Sequence, residues 1–271
     1  MAYKDTHRMF LQSFMSRGIL NANDVFKLLE SCCDKYGEVI EDKIQHLLRY
    51  LHSINDVIRV FGMEIRNVID EVDSTKHYGL VNTTETSITL LASSYTENEL
   101  EFFKKLISQI VLSDNGSIGS MAAVNIVDSL TKKMSKSDAE YLLERLIRDR
   151  WIGKSENGHV YIGTRGVLEL EQYILEMFET AVRCNMCKKL CVQGESCSNC
   201  EVKIHYHCAS KFFKDGSMMK CPECQNPWTI TSNSASTSSS AAVGGASTES
   251  SPPSSSAASS SQSRKRKARH E

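Results

Sequence analysis

The sequence predicts a mainly α-helical protein with small β wings, followed by a zinc-binding domain and then a disordered tail. Three observations lead to this prediction. Apolar residues recur with the 3.6-residue period of a helix through residues 1–180. Cysteine and histidine donors are spaced in pairs between Cys184 and Cys224. The segment 231–263 is about half serine and contains almost no large apolar residue.

The order of helices is clearest in residues 96–180. Thr96 and Glu99 have the spacing of a capping box, in which the two side chains satisfy free backbone amides at the start of a helix. A second helix follows, with apolar residues on one face. Ser137 and Glu140 repeat the capping-box spacing and predict the start of a third helix.

A β-hairpin is expected after the third helix, because the apolar period changes there from 3.6 to 2. The predicted strands are 151–154 and 159–162, and Asn157-Gly158 between them is a strong turn signal, since both residue types tolerate a positive φ. Thr164 is expected to cap a last helix. Three helices followed by a hairpin form the winged-helix arrangement, so residues 96–180 are predicted to be a winged-helix unit.

Residues 1–95 are predicted to form a first winged-helix unit on a looser version of this plan. Its hairpin spans 64–82, and the pattern leaves 54–61 open as a helix end or a strand. Cys32 and Cys33 lie on a predicted helix and are expected in the core. The helices are predicted at 9–14, 23–36 and 41–60.

Eight potential metal ligands occur in four pairs, and two residues separate the members of each pair. This spacing lets a short loop turn both donors toward one tetrahedral ion. Seven thiolates and one imidazole favour two zinc ions, whereas iron–sulfur ligation would need different cysteine runs. Either consecutive or alternate pairs could share an ion. The donors are Cys184, Cys187, Cys197, Cys200, His205, Cys208, Cys221 and Cys224.

His205 is the better ligand of two nearby histidines, because it precedes Cys208 by the same spacing as in every other pair. His207 is therefore expected at the surface, and Cys191, which breaks the spacing, is expected to be a spare thiol. A domain this small depends on metal for its stability. The zinc sites are thus predicted to be structural and closed, which argues against zinc-dependent hydrolysis.

The C4HC3 ligand order resembles the variant RING domains. Its position after two winged-helix units resembles the RING-containing first non-SMC element of the Smc five/six chromosome complex, and the resemblance covers about residues 1–228. It implies crossed pairs, with Cys184, Cys187, His205 and Cys208 on one zinc ion and Cys197, Cys200, Cys221 and Cys224 on the other. The supporting motifs are Cys184-Asn185-Met186-Cys187, Gln193-Gly194-Glu195-Ser196-Cys197 and the helical stretch 168–174.

The resemblance further implies a RING-type ubiquitin ligase that works with MAGE-type and kleisin subunits in recombination repair of DNA double-strand breaks. Such a ligase forms no covalent intermediate but positions a ubiquitin-loaded conjugating enzyme. By position, the contacts to that enzyme are Met186, Pro222 and either Phe212 or Phe213, whose alternative role is packing around the zinc loops. Gln225 stands where many active RING domains have a cation, so weak, partner-dependent activity is expected.

A non-catalytic docking or histone-tail-binding module is the alternative, because the PHD module shares this ligand order. Met219 argues against it, since that module usually has a tryptophan at this position. Direct DNA contact is also not favoured. Arg145, Arg148 and Arg150 of the third helix are mixed with four acidic residues and form no basic face.

The formal net charge of −1 conceals an acidic body and a basic end. The basic run is expected to be a nuclear-import signal, with a nucleic-acid tether or a solvated tail as alternatives. No apolar run is long enough to span a bilayer, and an intracellular protein in the nucleus and on chromosomes, telomeres among them, is expected. The domains are predicted at 1–95, 96–180, 184–228 and 229–271. The residues of the basic run are Arg264, Lys265, Arg266, Lys267 and Arg269.

Overall fold

The computed structural model describes residues 3–83, 94–213 and 219–228. This part of the chain is rich in helix and contains small antiparallel sheets of two or three strands. None of its helices is both long and apolar enough to cross a membrane. The serine-rich tail and its basic run lie outside the described residues.

The first part of the chain combines three helices with a three-stranded sheet. Its elements are α1 (Asp5–Arg17), β1 (Ile19–Asn21), α2 (Ala22–Tyr36), α3 (Lys43–Ile58), a 3₁₀ turn (Arg59–Phe61), β2 (Met63–Ile69) and β3 (Lys76–Asn82). The strands are antiparallel in the order β1-β3-β2. Tyr78 on the central strand lies opposite Leu20 on one side and Asn67 on the other. The predicted hairpin at 64–82 is therefore confirmed.

In this part, one helix boundary differs from the sequence prediction, and one segment that the sequence left undecided is now assigned. Helix α1 begins four residues before the predicted start, because Thr6 and His7 in its first turn are buried and His7 Nδ1 accepts from the Lys4 amide at 3.2 Å. The segment 54–61, which the sequence pattern left undecided, is the end of a helix and not a strand. Asn55 on α3 bonds both backbone groups of Ile65, donating to its carbonyl at 3.1 Å and accepting from its amide at 2.8 Å.

The core of this part is apolar and aromatic. Cys32 and Cys33 are fully buried in it, as predicted, and burial raises the pKa of Cys32 to about 11. Other buried members include Phe10, Phe14, Val25, Leu29, Leu47, Tyr50, Ile54 and Ile65.

The second part repeats the order of the first. Its elements are α4 (Glu97–Leu112), β4 (Ser117–Gly119), α5 (Ser120–Val124), a 3₁₀ turn (Asn125–Ser129), α6 (Lys136–Arg148), β5 (Ile152–Lys154), β6 (His159–Ile162) and α7 (Thr164–Met177). Again the strands are antiparallel with the last strand in the middle, in the order β4-β6-β5. Both predicted strands of the hairpin are present, and Gly158 alone of its Asn-Gly turn has a positive φ, of 77°.

The capping predictions are confirmed at one helix and wrong at two. The Thr96 hydroxyl accepts from the Glu99 amide at 3.3 Å, and the Glu99 carboxylate accepts from the Thr96 amide at 2.7 Å. Helix α6 is capped by Ser135 and not by Ser137, because Ser135 accepts from the Asp138 amide at 3.1 Å and adds residues to the helix start. Gly163 occupies the cap of α7, and Thr164 is its first helical residue.

The last part of the described chain is built from short strands and one short helix. They are β7 (Val182–Arg183), β8 (Leu190–Cys191), β9 (Glu195–Ser196), β10 (Lys203–Ile204) and α8 (Tyr206–Phe212). Two antiparallel hairpins form, β7 with β8 and β9 with β10. Few apolar side chains are buried in this part. The main ones are Ile204, Ala209 and Trp228, which pack around buried cysteines. Apolar burial of this extent is small for an independent fold.

The three parts pack on one another. Val68 and Val81 of the first sheet lie in the same apolar core as α4, α6 and α7, and so do Leu190 and Val192 of the last part. A side-chain Cβ placed on Gly79 of β3 would lie 3.0 Å from a methyl carbon of Leu168 on α7. The absence of a side chain at Gly79 thus allows this close approach.

Candidate metal centre

Four predicted ligands converge at the β7–β8 end of the last part. The ligand atoms of Cys184, Cys187, His205 and Cys208 all lie within 4.8 Å of one another. His205 Nδ1 is 3.3 Å from the Cys187 Sγ and 3.9 Å from the Cys208 Sγ. Tetrahedral zinc with ordinary bond lengths sets sulfur and nitrogen ligands about 3.5 Å apart. The spacing of this first quartet therefore fits zinc.

The other four predicted ligands form a second quartet. Cys197, Cys200, Cys221 and Cys224 likewise have all ligand atoms within 4.8 Å. The Cys197 and Cys224 sulfurs are 3.7 Å apart, and the Cys200 and Cys221 sulfurs are 3.6 Å apart. Two thiolates on a tetrahedral zinc ion are about 3.8 Å apart. The structure thus brings alternate pairs together, and both donor sets have the chemistry and spacing of closed structural zinc sites.

The first and last cysteine pairs are presented by the same backbone turn. The Lys188 amide donates to the Cys184 carbonyl at 2.9 Å, and the Gln225 amide donates to the Cys221 carbonyl at 3.1 Å. Both residues follow the second cysteine of their pair and have positive φ, 61° for Lys188 and 59° for Gln225. Each turn points its two sulfurs to one side, which explains the two-residue spacing in physical terms.

His205 is held by groups outside its quartet. Its Nε2 lies 2.8 Å from the Leu190 carbonyl oxygen and 3.0 Å from Glu71 Oε1. Two acceptors at Nε2 favour the tautomer with the proton on that nitrogen, which leaves the Nδ1 lone pair for the quartet. Glu71 belongs to the β2–β3 loop of the first part, and no pattern in the sequence links it to the metal ligands.

Two neighbouring predictions have different outcomes. His207 is not at the surface: it is buried, its ring stacks on that of His205 with centroids 4.8 Å apart, and burial lowers its pKa to about 4. The physical reason is that α8 starts at Tyr206 and turns His207 inward. Cys191 belongs to neither quartet, and burial raises its pKa. It also lies within ligand distance of Glu71 and His205, a grouping that shares His205 with the first quartet.

The predicted contacts for a conjugating enzyme lie around the zinc loops. Met186 is 39% exposed and Phe212 is 45% exposed, whereas Phe213 packs on Trp228 with ring centroids 5.6 Å apart. Pro222 is partly exposed. The loops that carry Met186 and Pro222 are neighbours, because Asn185 Nδ2 lies 3.4 Å from Glu223 Oε2.

A second polar cluster, in the first part, was not identified from the sequence as a site. Cys33, Glu38 and His46 have ligand atoms within 4.8 Å of one another. The Tyr50 hydroxyl donates to Glu38, and Lys4 Nζ pairs with the same carboxylate at 2.8 Å. These partners already satisfy the carboxylate, so the cluster is a hydrogen-bonded network beneath α1.

The ligand geometry and the small apolar core define the class of protein, a helix-rich protein with a RING-like domain whose donor sets fit zinc. The family model described as a RING-like domain matches residues 184–224. The family model described as the Nse1 non-SMC component of SMC5-6 complex matches residues 7–170.

Curated relatives agree with these matches. The chain is 36% identical over 231 residues to the non-structural maintenance of chromosomes element 1 homolog of Bos taurus, covering 83% of this chain and 84% of that protein. It is 36% identical over 227 residues to the Homo sapiens homolog, with 83% and 84% covered. The Schizosaccharomyces pombe protein of that name is 25% identical over 229 residues, with 83% and 92% covered.

A solved structure shares the fold. A chain of a structure titled "Nse1-Nse3-Nse4 complex" superposes with a TM-score of 0.73 at 35% identity, covering 85% of this chain and 99% of that chain. The chain belongs to the Nse1 family, which confirms the resemblance inferred from its motifs.

Proposed function

We propose that this protein is a RING-type ubiquitin ligase subunit of an Smc5/6-type complex, acting with MAGE-type and kleisin subunits. Membership of the Nse1 family and the likeness to a chain of an Nse1-Nse3-Nse4 complex support the assembly. Ligase activity is supported by one observation: the chain has a RING-like domain in which Met186 and Phe212 are exposed beside the two quartets. The site of action is the nucleus and its chromosomes, in recombination repair of double-strand breaks.

The domain holds two zinc ions in crossed pairs. The donor spacings within each quartet support this count, because each set of four fits one tetrahedral ion. Zinc is structural here: when bound, it supplies folding energy to a domain with little apolar core. We assign residues 184–228 to this domain, and we assign a role in nuclear import to the basic run, which lies outside the described residues.

The two preceding parts are winged-helix units, 1–95 and 96–180. Each has the order helix, strand, helix, helix, strand, strand, and each sheet places its last strand in the middle. This order and sheet arrangement support the assignment, since a winged helix adds a two-stranded wing to three helices.

The units dock proteins and not DNA. Arg145 on α6 is paired with Glu99 at 3.4 Å and stacks over Tyr95, and Arg150 donates to the Ile19 carbonyl. These arginines are used within the chain and are poorly placed to neutralise phosphates. In the wing loop of the first unit, Glu71 is buried and bonded to the RING-like domain.

The ligase works by positioning. A conjugating enzyme charged with ubiquitin docks on the apolar surface of Met186, Pro222 and Phe212, and the restrained thioester is then attacked by a substrate lysine. Phe213 serves the domain's core instead, because it packs on Trp228. Gln225 is neutral and exposed after the last ligand, so its grip on ubiquitin is weak and a MAGE-type partner is required for full activity.

Single-turnover discharge of a ubiquitin-loaded conjugating enzyme tests this function. The full chain with its MAGE-type partner should accelerate discharge, and Met186→Ala should slow it about tenfold, the effect of losing about 1.4 kcal/mol of contact. Met177→Ala is the matched control, because Met177 is 61% exposed at the end of α7 and lies outside the RING-like domain. Unaltered zinc content would show that each variant is folded.

Two results would contradict the proposal. One is the absence of discharge by the complex with its partner present, which would favour a non-catalytic docking or histone-tail-binding module. The other is an equal loss of rate in Met177→Ala and Met186→Ala, which would remove the conjugating enzyme from the zinc-loop surface.

A further inference from the structure

Glu71 is a charged residue at a hairpin tip, where exposure is the usual expectation, yet its side chain is only 4% exposed. Val72 and Asp73, beside it in the β2–β3 loop, are exposed. Burying a carboxylate is costly unless donors replace its water. Its burial therefore requires partners that reach both oxygens.

Three donors of the RING-like domain supply that compensation. Glu71 Oε1 accepts from the Val192 amide at 2.9 Å, and Oε2 accepts from the Gln193 amide at 3.0 Å. The third donor is His205, whose Nε2 lies 3.0 Å from Oε1. One carboxylate thus joins the wing of the first unit to the loop after β8 and to a ligand of the first quartet.

The loop is shaped to present this carboxylate. Asp70 Oδ1 accepts from the Val72 amide at 2.9 Å and from the Asp73 amide at 3.3 Å, and Ser74 turns the chain back with a φ of 59°. Close by, Lys189 Nζ donates to the Asn67 carbonyl at 2.5 Å. The bonds to Asp70 within the loop and the Lys189 bond to Asn67 before it thus hold Glu71 against the RING-like domain.

We propose that Glu71 is a positioning residue for the first zinc site, and that it couples zinc retention there to docking of the RING-like domain on the first unit. It fixes the proton of His205 on Nε2 and so aims Nδ1 at Cys187 and Cys208. The inference rests on the proposed binding of zinc. The coupling is reciprocal, because a group that stabilises the zinc-bound ring is itself stabilised by that ring.

The second quartet provides an internal reference. Within the described residues, no hydrogen bond or ion pair joins Glu71 to Cys197, Cys200, Cys221 or Cys224. A variant at Glu71 should therefore affect one zinc ion and spare the other. General unfolding of the domain would release both together.

Zinc release from the full chain into excess chelator tests the proposal. In Glu71→Gln, an NH2 group replaces one of the two carboxylate oxygens, so a donor faces a backbone N–H. Zinc release from the first site should therefore be about 10–100-fold faster. Zinc release from the second site should be unchanged. Asp73→Asn is the matched control, because Asp73 is an exposed carboxylate in the same loop. The phases are assigned with Cys208→Ser and Cys197→Ser, which remove the first and second sites respectively.

Nitrogen-15 shifts of His205 give a readout that simple destabilisation would not move. The full chain should show a protonated Nε2 and a metal-bound Nδ1, and Glu71→Gln should broaden or shift the Nε2–H signal. Equal acceleration of both release phases, or acceleration of neither, would overturn the proposal. Glu71→Asp keeps the charge and should fall between, even if Glu71→Gln folds poorly. A wild-type chain without zinc would instead refute the zinc sites themselves.

Discussion

At the scale of single residues, Glu195 shows how a small domain closes without a large apolar core. Its side chain is buried and accepts from the Trp228 indole N–H at 3.0 Å. Phe213 packs on the same indole. The bond compensates the buried carboxylate and ties the end of the described chain to β9. Polar contacts of this kind, together with the metal ligands, replace part of the missing apolar burial.

Helix capping gives a residue-scale prediction. Ser135→Ala should lower the free energy of unfolding by about 1 kcal/mol, because the Asp138 amide at the start of α6 loses its acceptor. Ser137→Ala should change it little, since Ser137 lies inside the helix and alanine favours helices. Urea unfolding of both variants measures the difference. A larger loss in Ser137→Ala would return the cap to the position that the sequence pattern suggested.

At the scale of elements, short-range signals were enough to predict most of the fold. The Thr96–Glu99 box, the hairpin at 64–82 and the ligand pairs depend on residues a few positions apart, and each was found. The start of α6 was misplaced because Ser135 and Ser137 both have an acidic residue three positions later, and local pattern cannot choose between them. Glu71 was missed because its partners Val192 and Gln193 are more than a hundred residues away.

The β4 turn makes an element-scale prediction. Gly116 has a φ of 62°, and a Cβ there would lie 2.7 Å from the Val192 carbonyl oxygen. Gly116→Ala should therefore cost about 1–2 kcal/mol for backbone strain and about 1–3 kcal/mol for overpacking. Gly37→Ala is the matched control: Gly37 has a φ of 70° with nothing near the Cβ position, so only the strain should appear. Equal losses in thermal or urea unfolding would show that Val192 does not pack closely on this turn.

At the scale of the whole molecule, the first and second parts of the described chain hold the RING-like domain from two sides. Lys189 and Glu71 anchor it to the first part, and the Gln193 side chain donates to the Gly116 carbonyl of the second at 3.3 Å. Met186 and Phe212 remain exposed in this arrangement. A domain held by these contacts, with an open apolar surface, is what the proposed positioning of a conjugating enzyme requires.

Cadmium-113 NMR of the full chain can show whether the ligand pairs are crossed. Cadmium replaces zinc in thiolate sites, and correlations between each ion and the cysteine β-protons identify its ligands. Two resonances are predicted. One should couple to Cys184, Cys187 and Cys208 with His205 as its nitrogen ligand, and the other should couple to Cys197, Cys200, Cys221 and Cys224. A resonance that couples to Cys184, Cys187, Cys197 and Cys200 together, or a single bound ion, would contradict the account.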